Sequence, residues 1–81
     1  MSQSTPTQPF LNSRHLALAS LKRLPVGRRL NFDQDTYVLR SEERYVAYRN
    51  WMSIVPLVEI FYPNQEQGLI QWLEQHGYTF N

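Results

Sequence analysis

The chain contains no cysteine, and that constrains it more than any other feature. No disulfide can tie it, no thiolate can hold zinc, and no cysteine can act as a nucleophile. Its 81 residues must build a single apolar core from packing alone, because there is no room for two. Two Trp, five Tyr and four Phe supply large pieces for that core, and rings bury more area per residue than aliphatic chains. With 42% hydrophobic residues the chain is too apolar to remain unfolded. The missing thiols also fit a reducing compartment, and a cytoplasmic location is expected.

Met1 to Pro9 holds Ser, Thr, Gln and Pro with one apolar residue. It reads as a disordered tail ahead of a single domain over residues 10–81. It has neither the basic segment nor the apolar core of a signal peptide. The longest nearly apolar run, Ile54 to Tyr62, is broken by Pro56 and Glu59 and is too short to span a bilayer. No membrane partner is expected.

The apolar spacing divides the rest into helices and strands. Ser13 to Leu24 reads as an amphipathic helix with Ala17, Leu18, Leu21 and Leu24 on one side, capped by Asn12 or Ser13 and stopped by Pro25 and Gly27. Arg28 to Arg40 has strand composition, in one piece or two short ones around a turn at Asp33-Gln34-Asp35. Ser41 to Ser53 supports two readings. The lack of Gly or Asn at Ser41-Glu42-Glu43 favours a helix capped by Ser41, whereas Tyr45, Val46, Tyr48 and Trp51 favour the return strand of a hairpin. The hairpin is preferred. Ile54 to Tyr62 reads as a buried strand with Val55, Val58, Ile60 and Phe61 as its core, and Glu59 on the opposite face.

The last helix has the clearest punctuation. Pro63 precedes Asn64 as cap, Gln67 completes a capping box, and Gly77 supplies the left-handed stop with Tyr78 as its closing apolar contact. The expected architecture is α+β, in the order α-β-β-β-α, with a short antiparallel sheet packed by two helices.

Chemistry-bearing patterns are few. His15 and His76 stand far apart, with no histidine pair at metal spacing, and His76 suits a structural role at a helix end. Asp33 and Asp35 read as a solvated turn rather than a cation site. No Gly-x-Ser-x-Gly, phosphate loop or dinucleotide fingerprint occurs. Neither an enzyme nor a bound cofactor or metal is expected.

Charge is more informative. The net charge is +1, yet residues 1–31 hold five basic side chains and no acid, while residues 32–81 hold three arginines against seven acids. Such asymmetry marks either a surface for an anionic partner or a basic helix lying on an acidic remainder. Lys22, Arg23, Arg28 and Arg29 form the candidate basic patch. Arg44, Tyr45, Tyr48, Arg49 and Trp51 form a candidate Arg and aromatic surface, on which Tyr45, Arg49 and Trp51 would share one side of a strand. If exposed, that side would be a stacking platform for single-stranded nucleic acid; if buried, it would be core with arginines at the rim.

Tyr, Trp and Arg are equally the residues of protein interfaces. The expected function is therefore that of a small regulatory or adaptor-type protein that binds a macromolecule, foremost a protein, in the manner of a bacterial or phage accessory protein. The alternative is nucleic-acid binding through the basic patch. Self-association through an edge strand is a further option.

Overall fold

A computed structural model describes residues 13–50 and 55–80. The fold is α+β: helix α1 (Arg14–Lys22), strands β1 (Arg29–Asp33), β2 (Thr36–Arg40), β3 (Tyr45–Arg49) and β4 (Leu57–Phe61), then helix α2 (Glu66–Gln75). The strands form an antiparallel meander in the order β1-β2-β3-β4. Both helices lie on one face of the sheet and close the core with it.

The sheet has four strands rather than the three expected, because Arg28 to Arg40 folds back on itself. Asp33-Gln34-Asp35 makes the turn: the Asp33 carboxylate accepts the Asp35 N–H at 2.8 Å, and the register slips between Asn31 and Asp33. A short acidic side chain can bind backbone two residues on and so replace a Gly turn.

The segment after Ser41 is the hairpin. Its turn lacks Gly, but side chains satisfy its carbonyls instead. The Ser41 hydroxyl and N–H both reach the Arg44 carbonyl, at 3.2 and 2.9 Å, and the Arg40 guanidinium donates to the carbonyls of Ser41 and Glu42.

Helix α1 begins at Ser13, whose hydroxyl accepts the Leu16 N–H. It buries Ala17 and Leu21, with Leu18 and Leu24 half-buried beside them. Helix α2 starts differently from expectation. Asn64 is not the cap: it takes a left-handed conformation (φ 81°), and Gln65 occupies the cap position without a side-chain bond to the helix. The Gln65 side chain instead accepts the Tyr62 N–H at 2.8 Å, and Glu66 accepts the Asn64 N–H at 3.3 Å. Asparagine tolerates that backbone region better than other non-glycine residues, so it serves here as the turn between β4 and α2. The far end is as expected. Gly77 (φ 94°) stops the helix, and the Gly77 and Tyr78 N–H groups return to the carbonyls of Glu74 and Leu73, the pattern of a Schellman motif.

The core comprises Ala17, Leu21, Phe32, Val38, Tyr45, Ala47, Leu69, Ile70, Leu73 and Tyr78. Tyr78 and Phe80 cover its end, meeting the Phe32 ring edge-on at 5.6 and 6.3 Å. The Tyr78 hydroxyl donates to the Phe32 carbonyl at 3.1 Å.

Candidate functional site

Alternation along each strand sorts the sheet residues onto two faces. Thr36, Val38, Tyr45, Ala47 and Arg49 point toward the helices and are buried. The partners in register on the opposite face form two rows. One row is Arg29, Leu39, Val46 and Ile60; the next is Asn31, Tyr37, Tyr48 and Val58. Among the described residues nothing packs over these rows, and Leu39, Val58 and Ile60 remain 41%, 55% and 41% exposed. β4 is therefore not the buried strand expected. It is an edge whose Val58 and Ile60 face outward, while Glu59 takes the helix side and stays exposed. Helix α2 reaches β4 mainly at Phe61, which packs edge-on against Trp72 at 6.1 Å.

The expected Arg and aromatic surface is divided between the two faces. Tyr45 and Arg49 lie inside and present no stacking platform. The Tyr45 hydroxyl donates to the Glu66 carboxylate at 2.7 Å and lies 3.2 Å from the Leu21 carbonyl, so one phenol ties the sheet to both helices. Burial first, then the neighbouring Glu66 carboxylate, push its pKa up to about 12, and it stays a neutral donor. For Glu66, desolvation works upward but is outweighed. The bond from Tyr45, the backbone N–H groups of Glu66 and Asn64, and the charge of Lys22 hold its pKa below the usual glutamate value.

Arg49 is only 5% exposed. It donates to the Thr36 hydroxyl at 2.5 Å and the His76 carbonyl at 2.9 Å, stands 3.6 Å from Asp33, and lies over the Tyr78 ring at 5.4 Å. A buried guanidinium is tolerable only when its donors are used in this way. Trp51 lies outside the described residues.

Tyr48 is on the outer face, stacked on Tyr37 with centroids 4.5 Å apart and planes 18° from parallel. The Arg29 guanidinium lies 4.8 Å from the Tyr37 ring. Strand order places Arg29 and Tyr48 on either side of Tyr37, so its ring is flanked on both sides. The spacing i, i+2 along β2 and β3 was the sequence signal for this face. Leu39, Val46, Val58 and Ile60 were missed as surface because each reads equally well as core.

The basic residues do not rest on the acidic remainder in the way the charge balance allowed. One ion pair joins the helices, Arg14 to Glu74 at 3.2 Å, and both partners are exposed. Lys22 acts on Glu66 at a distance. Lys22, Arg23, Arg28, Arg29 and Arg44 are exposed and hold no ion pair among the described residues.

His76 keeps a structural place, with Nδ1 at 2.8 Å from the Trp72 carbonyl. Among the described residues no three His, Asp or Glu side chains gather where a metal could bind, and no helix is long and apolar enough to cross a membrane.

Among the described residues these features define a two-layer domain with one face of its sheet covered and the other open. Comparison with protein-family models, curated proteins and solved structures returns no match.

Proposed function

We propose that this chain is a non-catalytic binding module that engages a protein partner through the outer face of its sheet. The observation that carries this reading is the open double row of Tyr37, Leu39, Val46, Tyr48, Val58 and Ile60 in a domain small enough to need every apolar side chain for its core. Contiguous exposed apolar area rimmed by polar groups is where proteins meet partners. The rim here is Arg29, Asn31 and Arg44. Such a module acts by bringing proteins together, as an adaptor or regulator does, and a cytoplasmic setting suits its lack of thiols.

A site-specific crosslink tests the reading. p-Benzoylphenylalanine in place of Tyr48 is expected to yield a discrete crosslinked species in extract of the native cells, and the same group in place of Gln71, on the exposed side of α2, is not. Equal yields at the two positions, or none at Tyr48, would reject the face as an interface.

A second reading is supported by the exposed cations. Lys22, Arg23, Arg28 and Arg29 form a basic stretch from the end of α1 to the start of β1, which suits the phosphates of a nucleic acid without sequence preference. Stacking of bases on the sheet finds little support, because Tyr37 is already flanked by Tyr48 and Arg29. Fluorescence anisotropy with mixed oligonucleotides at about 50 and 200 mM salt separates the two readings. Steeply salt-sensitive binding that weakens when Arg28 and Arg29 are replaced by Gln would favour the nucleic acid.

A further inference from the structure

Each edge of the sheet carries a device against strand pairing. β1 has charged Arg29 and Asp33 and a register slip between Asn31 and Asp33. β4 follows Pro56 and carries Glu59 on its helix side. Bulges, prolines and inward-facing charges at edges are how sheets avoid adding strands. Any copy-to-copy contact through this sheet is therefore directed to its outer face.

The strand ends differ in charge. At the end where β1 begins and β2 finishes, Arg28, Arg29, Arg40 and Arg44 outnumber Glu42 and Glu43 of the β2–β3 turn, four against two. At the other end Asp33 and Asp35 outnumber the buried Arg49, two against one. The two outward rows also differ in size: one is aliphatic (Leu39, Val46, Ile60), and the other carries the stacked Tyr37 and Tyr48.

Both asymmetries are matched by one operation. A two-fold axis lying between two sheets, perpendicular to the strands, sets each basic end over the acidic end of the other copy. The same axis lays the tyrosine row of each copy on the aliphatic row of the other. We propose that the partner of the outer face is a second copy of this chain, docked sheet on sheet with strands antiparallel and Arg29 of each copy facing the Asp33–Asp35 turn of the other.

This rests on the outer face being an interface and names its occupant. A symmetric contact needs a self-complementary patch, and sheets that pack face to face keep their strands within about 30° of alignment. Four strands about 4.8 Å apart and five residues rising about 3.3 Å each give a face of roughly 14 by 16 Å. With its rim this remains below the roughly 800 Å² per partner of a standard interface, so the dimer is weak, with a dissociation constant on the order of 10–100 µM.

Sedimentation equilibrium of the purified full chain, from about 1 to 500 µM, tests the dimer. The expected result is a reversible monomer–dimer equilibrium in that range. Ile60→Glu, at an exposed position, should weaken it at least tenfold with an unchanged far-ultraviolet circular dichroism spectrum. Arg29→Glu and Asp35→Arg should each weaken it severalfold, and the chain carrying both should recover to within about twofold of the unsubstituted protein. That recovery cannot come from damage to the fold.

A chain that stays monomeric throughout, a dimer indifferent to Ile60→Glu, or a double variant no better than the worse single would each overturn the proposal. A monomer overturns self-docking only: a Tyr48-directed crosslink to a protein of another mass would then keep the face as an interface with a different occupant.

Discussion

The inner and outer faces of the sheet are built from similar residue types and treated in opposite ways. Inside, Val38, Tyr45 and Ala47 meet Leu21, Leu69 and Leu73 and lose nearly all contact with water. Outside, Leu39, Val46, Val58 and Ile60 stand in the same strands with the same chemistry, and three of them stay substantially exposed. The difference lies in what covers each face. Hydrophobic stabilisation follows area removed from water, at about 25 cal/mol per Å², so the same side chain has different worth on the two sides. The polar groups divide in parallel. Buried polar groups on the inner side find partners within the fold, Tyr45 with Glu66 and Arg49 with Thr36 and His76. On the outer face Arg29 reaches only the Tyr37 ring among the described contacts.

Substitutions break or sharpen this contrast. The largest effect is expected inside. Leu73→Ala, at 0% exposure, should cost about 3 kcal/mol in denaturant unfolding, because a cavity remains beside the lost contacts. In a domain with a total stability of about 5 kcal/mol this would leave about 2 kcal/mol and raise the unfolded fraction more than a hundredfold, to roughly 3%.

Tyr45→Phe should cost about 1–2 kcal/mol, since it strips the buried Glu66 carboxylate of its phenol donor. It should also change the response to acid. Glu66 titrates below the unfolded value of 4.5, so its contribution is complete above that value and is lost as pH falls through the folded pKa. Unfolding curves measured between neutral pH and about pH 3 should fall more steeply for the unsubstituted chain than for Glu66→Gln.

Outside, Ile60→Ala should change the stability of the monomer by less than about 1 kcal/mol, measured at low protein concentration. A loss as large as that of Leu73→Ala would mean that the outer face is covered and would erase the contrast. The smallest signal is spectroscopic. In an alkaline absorbance titration one tyrosine should ionise near pH 12, and Tyr45→Phe should delete that step. The associated stabilisation is present below the unfolded value of 10.0 and is lost as pH rises through about 12.

Much of the fold was legible from local rules. Ala17 and Leu21 at helical spacing, Gly77 after the last helical turn, and the alternating β-branched and aromatic residues of β2 and β3 each specify their element within a few neighbours. The start of α2 was less legible, because Asn64 is a good cap and also a good left-handed turn residue, and the fold uses it as the second. The site was harder still. Period 2 places Tyr45 with Arg49 and Val58 with Ile60, but it does not say which side of the sheet receives the helices. Glu59 looked like the outward residue of β4, yet it shares the helix side with Phe61 because α2 covers only that end of the strand. Which face is covered is a property of the whole chain.

The meander has a kinetic consequence. Every strand pairs only with its neighbour in sequence, so the three hairpins close short loops at little entropic expense. The helices meet only after some 60 residues of chain have been brought round, as the Arg14 to Glu74 contact measures. Loop-closure entropy places such distant contacts late. The sheet is therefore expected to assemble with both faces bare and to choose its covered side in the final step. The two helices, one from each end of the chain, then compete with anything else that would lie on the same strands.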